Sequence, residues 1–581
     1  MNILGINVYH PDVSAVLIRD GQLIAALEEE RFRRIKHCAG FPGMAIRRCL
    51  ETGGIDGRQI DAIAVSRNPK ANIWRKAAFV LQRRPGRTLL GDRARNLRKF
   101  QDLRTPLAEA LSIPCRDLPK IHHVEHHPAH LASAFFVSPF EQAAVCAIDG
   151  FGDFVSTSLA LGTDRRMKIL EKICFPHSLG ILYTAITQYL GFLNYGDEFK
   201  VMGLAPYGRP NYVHRLSKLI RLKPDGLFEL DLKYFRHWSH GVEMEWEDGY
   251  PRLAQVYSPE LERLLGAART PDEPLTQHHE DMARSLQAVY EECAFHVLNG
   301  LWRRTKSPRL CLAGGCAMNS VANGKVRTHT PFKEVYVQPA ASDNGTALGA
   351  AYFVWHQSLG KPRSFVMHHA LWGTSYDDFA IDSVLTESGL ANGGFELLRL
   401  GTSDETCRAT AELLAAGNVV GWFQGRMEWG ARALGNRSIL ADPRRPDMRD
   451  LINLKIKFRE KFRPFAPSIL EEAMRDYFIN PSSDAFMQQV YPVRDDKRHV
   501  LPAITHVDGS GRLQTVNRNQ NPLYYRLIQE FERITGVPVL LNTSFNENEP
   551  IVDTPRQALD CFLRTKMDAL VIGNMVVARR S

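Results

Sequence analysis

Residues 144–162 read Ala-Val-Cys-Ala-Ile-Asp149-Gly-Phe-Gly-Asp153-Phe-Val-Ser-Thr-Ser-Leu-Ala-Leu-Gly162: an apolar strand, an acidic glycine-rich turn and a second strand. The chain opens on the same pattern. Residues 2–9 are β-rich, His10-Pro11-Asp12-Val13-Ser14 makes a polar turn, and Ala15 to Arg19 resumes a strand. Asp20-Gly21 then signals a hairpin into the strand Leu23 to Leu27. One hairpin around Asp12 and another around Asp149 predict a duplicated α/β core. In such a core, hairpin N–H groups and small residues let the backbone approach oxyanions. Two hairpins alone are a weak signal, since any α/β protein can hold them.

The bulk numbers set the frame. A chain of 581 residues that is 44% apolar and 24% charged can bury large cores in several folding units. No run approaches 18 uncharged apolar residues, so no membrane span is expected. Ten cysteines without a Cys-x-x-Cys pair argue against zinc ribbons and a disulfide framework. The amino terminus enters a strand-like run directly, so a cytoplasmic protein is expected. Much of the net charge of +9 falls at residues 75–104, where ten Lys and Arg face only Asp92 and Asp102. No base-stacking aromatics interleave with that run regularly, so it reads as a solvated helical face rather than a nucleic-acid grip.

Between the two hairpins lies Glu125-His126-His127-Pro128-Ala129-His130. If Val124 to Phe136 is helical, His126 and His130 stand at i, i+4 and project from one face, with Pro128 in the tolerant first turn. Two imidazoles joined by carboxylates from elsewhere make an N/O metal site. A helix cap or a hydrogen-bonded core pair is the alternative reading. Residues 209–275 look like a charged insertion, and helical periodicity returns from Asp281 to Arg303. Leu310 to Ser320 reads as a strand running into Gly314-Gly315 and a helix start, which suits an anion or nucleotide and equally a plain tight turn. Asp343-Asn344-Gly345 sets a carboxylate between a strand end and a small-residue helix.

Residues 356–376 break the periodicity and read as a domain link. Beyond them, Lys455, Lys457, Arg459, Lys461 and Arg463 alternate along what reads as an extended strand, all on one side. Like charges in such a row repel one another unless a polyanion sits among them, so a phosphate is expected, with a solvated edge strand as the alternative. Val539 to Asn546 reads as a buried strand ending in small hydrogen-bonding groups.

Ten motifs then stand in one order: Tyr9-His-x-Asp12, Glu29-Glu-Arg31 with Lys36-His37, His126-His-x-x-His130, Asp149-Gly, Met202-Gly-Leu-Ala-Pro-Tyr-Gly208, Gly314-Gly-x-Ala-x-Asn319, Asp343-Asn-Gly345, Gly430-Ala-Arg-Ala-Leu-Gly-Asn-Arg437, Phe462-Arg-Pro-Phe-Ala-Pro467 and Asn542-Thr-Ser-Phe-Asn546. Together they resemble the NodU/CmcH family of O-carbamoyltransferases, whose members carbamoylate tobramycin, cephamycins and nodulation factors. The resemblance implies an α/β protein of two fused domains. Residues 1–360 would be an actin-like, duplicated ATPase and transfer domain, with the insertion at about 209–275. Residues 361–581 would be a YrdC-like domain that binds carbamoyl phosphate and forms carbamoyl-AMP.

The same resemblance assigns roles. His126, His130, Asp149 and Asp343 match metal ligands, with Fe(II) implied and Mn or Zn also compatible with N₂O₂ ligation. Lys36, Gly314, Gly315 and Asn319 match nucleotide contacts, for ATP with Mg. Arg432, Lys457, Arg463, Arg512, Asn542 and Ser544 match the carbamoyl phosphate site, and whether Lys457 or Lys461 is its main lysine stays open. His10 and Asp12 match catalytic positions, His10 as the base for an acceptor hydroxyl. Pro11 departs from the family, which often has a second polar residue there. The implied function is ATP-dependent transfer of a carbamoyl group, via carbamoyl-AMP, to a small-molecule hydroxyl, as in antibiotic biosynthesis and secondary metabolism. Neither a nucleic-acid nor a membrane partner is expected, and a homodimer is compatible. A fused enzyme of tRNA threonylcarbamoylation is the alternative.

Overall fold

The structure, a computed structural model, describes residues 1–83, 103–242, 244–247, 250–390 and 393–580. Most of the basic run at 75–104 lies outside the described residues. The chain forms two compact units, Met1–Met367 and His368–Ser581.

The first unit is built on two five-stranded sheets. One contains β1 (Asn2–Asn7), β2 (Ser14–Arg19), β3 (Gln22–Glu28), β4 (Ala62–Val65) and β5 (Lys120–His123), in the order β3-β2-β1-β4-β5. The other contains β6 (Gln142–Gly152), β7 (Val155–Thr163), β8 (Arg166–Cys174), β9 (Arg309–Ala313) and β10 (Glu334–Val337), in the order β8-β7-β6-β9-β10. Pairing sense repeats as well. β1–β2 and β2–β3 are antiparallel while β1–β4 and β4–β5 are parallel. β6–β7 and β7–β8 are antiparallel while β6–β9 and β9–β10 are parallel. The duplication is therefore a property of the fold.

The second hairpin differs in detail from its reading. β6 runs on to Gly152 through an irregularity after Ile148, and the reversal falls at Asp153-Phe154, both at positive φ. Asp149 sits in the irregular stretch of the strand, not in the turn, and such a bulge re-aims side chains out of the ladder. The first turn does hold Asp12, at φ 60°.

Two small-residue helices pack these sheets together. His126–Phe135 and Gly345–Tyr352 are buried along their whole lengths, as helices apolar all round must be. Their backbones touch: a Cβ on Gly349 would lie 1.8 Å from the Ala129 carbonyl oxygen, and one on Gly5 of β1 would lie 2.1 Å from that of Ala347. The charged 209–275 region forms two short hairpins and the helix Pro259–Leu265, and the periodic segment after it is the long helix Gln277–Thr305. Among the described residues no helix is long and apolar enough to cross a membrane.

The second unit is a nine-stranded mixed sheet. Its central strands, Val420–Phe423, Arg437–Ala441, Val539–Ser544 and Ala466–Leu470, are neighbours in that order. Helices Ser403–Ala415 and Pro522–Thr535 pack together, and an apolar core built on Trp422, Tyr524 and Phe531 lies under them. Residues 455–463 do not form the expected strand. Helix Met448–Ile452 continues as a wider turn over Asn453–Lys457, and Phe458 then takes a left-handed conformation at φ 44°. Alternation of charge imitates a strand period here, but turn geometry sends Lys457 inward while Lys455 and Lys461 face solvent.

The helix contact at Gly349 gives a direct test. Gly349→Val should cost about 1–3 kcal/mol by overpacking and weaken metal retention, because one helix carries His126 and His130 and the other follows directly on the loop of Asp343. Thermal unfolding and metal analysis of the variant check this.

Candidate functional site

The helix His126–Phe135 starts where Asp153 Oδ2 accepts the His126 backbone N–H at 3.0 Å. Its first two turns bring His126 and His130 to one face, with their Nε2 atoms 3.0 Å apart. Asp149 Oδ2 lies 3.2 Å from His126 Nε2 and 3.8 Å from His130 Nε2. Asp343 Oδ1 lies 3.4 and 3.3 Å from the same two atoms. All four side chains are buried, and their donor atoms fall within 4.8 Å of one another. Metal–ligand bonds of about 2.0–2.2 Å place neighbouring donors about 3 Å apart, so the spacing fits a single ion. Asp343 Oδ1 is buried and accepts no hydrogen bond, which also suits a metal ligand.

Charge gives the same answer. Burial and the Asp343 charge raise the Asp149 pKa, yet hydrogen bonds from His126 and His130 hold it below the usual carboxylate range. Asp343 is likewise held low against its burial, by the His126 charge and by the bond of His10 to its other oxygen. Two ionised carboxylates in a dry site require positive charge. In the metal-free protein a proton supplies it, for His126 is pushed up to about 10 against its burial, chiefly by Asp343 and Asp149. A divalent cation would supply it without that proton.

The expected catalytic residues border this cluster. His10 Nδ1 lies 3.0 Å from Asp343 Oδ2, and its ring stacks on His126 at 5.3 Å. Asp12 Oδ1 instead pairs with His37 Nδ1 at 2.7 Å. Burial would lower the His37 pKa, but Asp12 and Glu30 raise it to about 9, so His37 is a cation at neutral pH. The His37 ring meets Tyr195 edge-on at 5.3 Å. Lys36 is half-buried and bears electrostatically on Glu30 and His37. Asn344, next to Asp343, donates to Glu28 at 2.7 Å, and its carbonyl accepts from Ser14 at 2.8 Å, which fixes the loop that carries Asp343.

The glycine turn after β9 packs against the strand that carries Asp149. Gly314 adopts φ 88° against the Ile148 carbonyl, where a Cβ would come within 2.2 Å. The Gly315 N–H donates to Asp149 Oδ1 at 2.9 Å, leaving Oδ2 to face the imidazoles. Asn319 caps helix Ser320–His329 through Ala322 N at 3.0 Å and pairs its amide with Gln287 at 3.0 and 3.1 Å. Its side chain is thereby committed within the unit. Gly152 was not singled out from sequence, yet a Cβ there would lie 1.9 Å from the His126 ring.

The second unit holds the opposite problem. Arg432, Arg463 and Arg512 bear on one another electrostatically, and Arg459 joins them. Arg432 Nε, Arg459 Nη2 and Arg512 Nε are buried without a hydrogen-bond partner. Burial and the Arg463 charge lower Arg432 to about 10 and Arg459 to about 9. Arg512 falls further, through burial and then Arg432, Arg459 and Arg463. Arg432 rides a loop pinned by Glu428 Oε1, which accepts the N–H groups of Leu434, Asn436 and Arg437 at 2.7, 2.8 and 3.1 Å. Asn542 holds the same loop through the Ala433 carbonyl at 3.1 Å. The two lysines sit differently. Lys457 Nζ donates to the Ser544 carbonyl at 2.5 Å, the Asn546 carbonyl at 2.7 Å and Asn546 Oδ1 at 2.6 Å, whereas Lys461 is exposed. Buried cations that repel one another and keep unpaired N–H groups make an anion site.

Comparison with known proteins agrees with this chemistry. A family model described as carbamoyltransferase N-terminus matches residues 2–352, and one described as carbamoyltransferase C-terminus matches residues 411–579. The chain belongs to the carbamoyltransferase family and is an enzyme of that class. Nodulation protein NolNO of Sinorhizobium fredii is 42% identical over 99% of this chain and 80% of its own length. An uncharacterized protein of Synechocystis sp. is also 42% identical, over 100% of this chain and 97% of its own. Among solved structures, HypF of T. kodakarensis aligns with a TM-score of 0.32 and 12% identity over 62% of this chain and 48% of that one, too distant to bear on the site.

The arginine cluster predicts a ligand-dependent stability. Phosphate at 100 times its Kd should stabilise the protein by about 2.7 kcal/mol. Arg512→Ala should abolish that response without lowering stability in phosphate-free buffer, since it removes a repelling charge. Guanidinium groups keep their protons across the neutral range, so the response should persist from a pH of about 6 to a pH of about 8. Thermal unfolding with and without phosphate across that range measures both effects.

Proposed function

We propose that the enzyme is an ATP-dependent O-carbamoyltransferase that uses carbamoyl phosphate. The observation that carries this reading is the set of buried, unpartnered guanidinium N–H groups of Arg432, Arg459 and Arg512. On this reading the first unit is the actin-like transfer domain and the second the YrdC-like domain that forms the adenylate. Carbamoyl phosphate binds among the arginines, with Lys457, Asn542 and Ser544 shaping the wall around it. Water cleaves its P–O bond to give carbamate and phosphate. A carbamate oxygen then attacks the α-phosphorus of ATP, pyrophosphate leaves, and carbamoyl-AMP results.

Transfer belongs to the first unit. His126, His130, Asp149 and Asp343 would hold the metal, read as Fe(II) with Mn or Zn as substitutes, and bound there it would supply Lewis acidity toward an acyl oxygen. His10, held through Nδ1 by Asp343, takes the proton of the acceptor hydroxyl at Nε2. That oxygen attacks the carbamoyl carbon, and AMP departs with the electrons of the broken C–O bond. The cationic His37, fixed by Asp12, flanks the acceptor side. We read the acceptor as a small-molecule hydroxyl, with a fused tRNA-threonylcarbamoylation activity as the competing outcome.

Without any acceptor, purified protein should release pyrophosphate from ATP only when carbamoyl phosphate is present, with carbamoyl-AMP detected by mass spectrometry. Arg463→Ala should slow that release by about 10²-fold or more, the scale of a lost charge-stabilising contact. His10→Asn should leave it intact and slow transfer to an added hydroxyl. Adenylate formation that needs bicarbonate and threonine instead would overturn this reading in favour of the tRNA pathway.

A further inference from the structure

Arg67 follows β4 directly, at the carboxyl end of its parallel strands, where ligands of such sheets gather. Two chains of contact bracket it against the metal ligands. On one side, Ser66 Oγ lies 2.9 Å from Thr346 Oγ1, which in turn lies 2.6 Å from the Asp343 carbonyl oxygen. On the other, Arg67 Nε lies 3.9 Å from Asp153 Oδ1, while Asp153 Oδ2 accepts the backbone N–H of His126 at 3.0 Å and of Asn68 at 2.9 Å. The Arg67 carbonyl is fixed by His123 Nδ1 at 3.1 Å. The residues on either side of Arg67, Ser66 and Asn68, are therefore tied toward the loop of Asp343 and the helix of His126, and the Arg67 side chain is 25% exposed. The charges of Asp153 and Asp343 both bear on it, opposing the effect of burial.

Charge balance shows what such a group is for. Two neutral imidazoles and two carboxylates cancel a divalent ion, so the ligand set gives no net attraction to an anion. A carbamoyl donor that arrives as an adenylate carries a phosphate charge. We propose that Arg67 binds the phosphate of the carbamoyl donor beside the metal centre and thereby selects phosphate-bearing donors. This rests on the reading of the first unit as the transfer domain. Arg67 exchanges no proton. It holds the phosphate while the acceptor oxygen bonds to the carbamoyl carbon and the C–O bond to phosphate breaks.

The test uses full-length protein loaded with one equivalent of Mn(II), and AMP as the probe. Paramagnetic broadening of the AMP ³¹P resonance reports only phosphate held near the metal. In the wild type the resonance should broaden. In Arg67→Met the affinity for AMP should fall about tenfold or more, the worth of one charge-assisted contact, with Mn(II) bound as before, and Arg67→Lys should recover part of it. Equal broadening in Arg67→Met would overturn the proposal. So would loss of Mn(II) from that variant, since Arg67 would then be a counter-ion for Asp343. Absence of broadening in the wild type would also sink it. Carbamoyl-phosphate-dependent pyrophosphate release from the same preparation separates this failure from failure of the wider reading.

Discussion

Two carboxylates, Asp149 and Asp343, are buried against two imidazoles, and the first unit is arranged to keep them there. Their mutual repulsion in a dry site would drive them apart or neutralise them if nothing positive lay between. Almost every nearby contact serves that confinement. Gly315 takes one oxygen of Asp149, His10 takes one of Asp343, and Asp153 pins the start of the histidine helix. The close crossing at Gly349 and Ala129 locks the histidine helix against the helix that follows the Asp343 loop. The remaining oxygens and both Nε2 atoms are left facing one point.

The second unit states the same problem with the sign reversed. Four guanidiniums crowd one region, and three of them keep buried N–H groups without partners. An anion among them would offset that repulsion and take up those N–H groups. A centre that wants a cation and a site that wants an anion, carried on one carbamoyltransferase chain, suit a reaction whose donor is a phosphorylated carbamoyl group. Arg67 extends the argument, because a neutralised metal centre needs a separate cation to attract an anionic donor.

Much of this was legible in the sequence, and the failures have physical causes. The i, i+4 spacing of His126 and His130 marks one helical face, and Asp343 before a run of small residues marks a strand-to-helix turn. Asp20-Gly21 marks its hairpin, which forms as β2 and β3. Duplication was readable as two hairpins, although the bulge that takes Asp149 out of the turn was not, because bulges depend on ladder register rather than composition. The 455–463 segment misled. Lys-x-Lys-x-Arg-x-Lys-x-Arg has a strand period, and only the preceding helix shows that the chain is still turning when it reaches Lys457. Arg459 was read there as one of five equivalent cations, and only the turn separates it and Arg463 from the exposed Lys455 and Lys461. Gly152, Asp153 and Arg67 carry no local signal at all, since their roles exist only once distant segments meet.

The most direct test of the central claim is crystallographic. Anomalous difference maps from crystals of protein prepared with Fe(II) or Mn(II), collected across the metal's absorption edge, would locate any ion. The account predicts one peak per chain, within bonding distance of Nε2 of His126 and His130 and of carboxylate oxygens of Asp149 and Asp343. Crystals grown with saturating metal that show no peak there, with the two carboxylates balanced by protonated histidine alone, would contradict it.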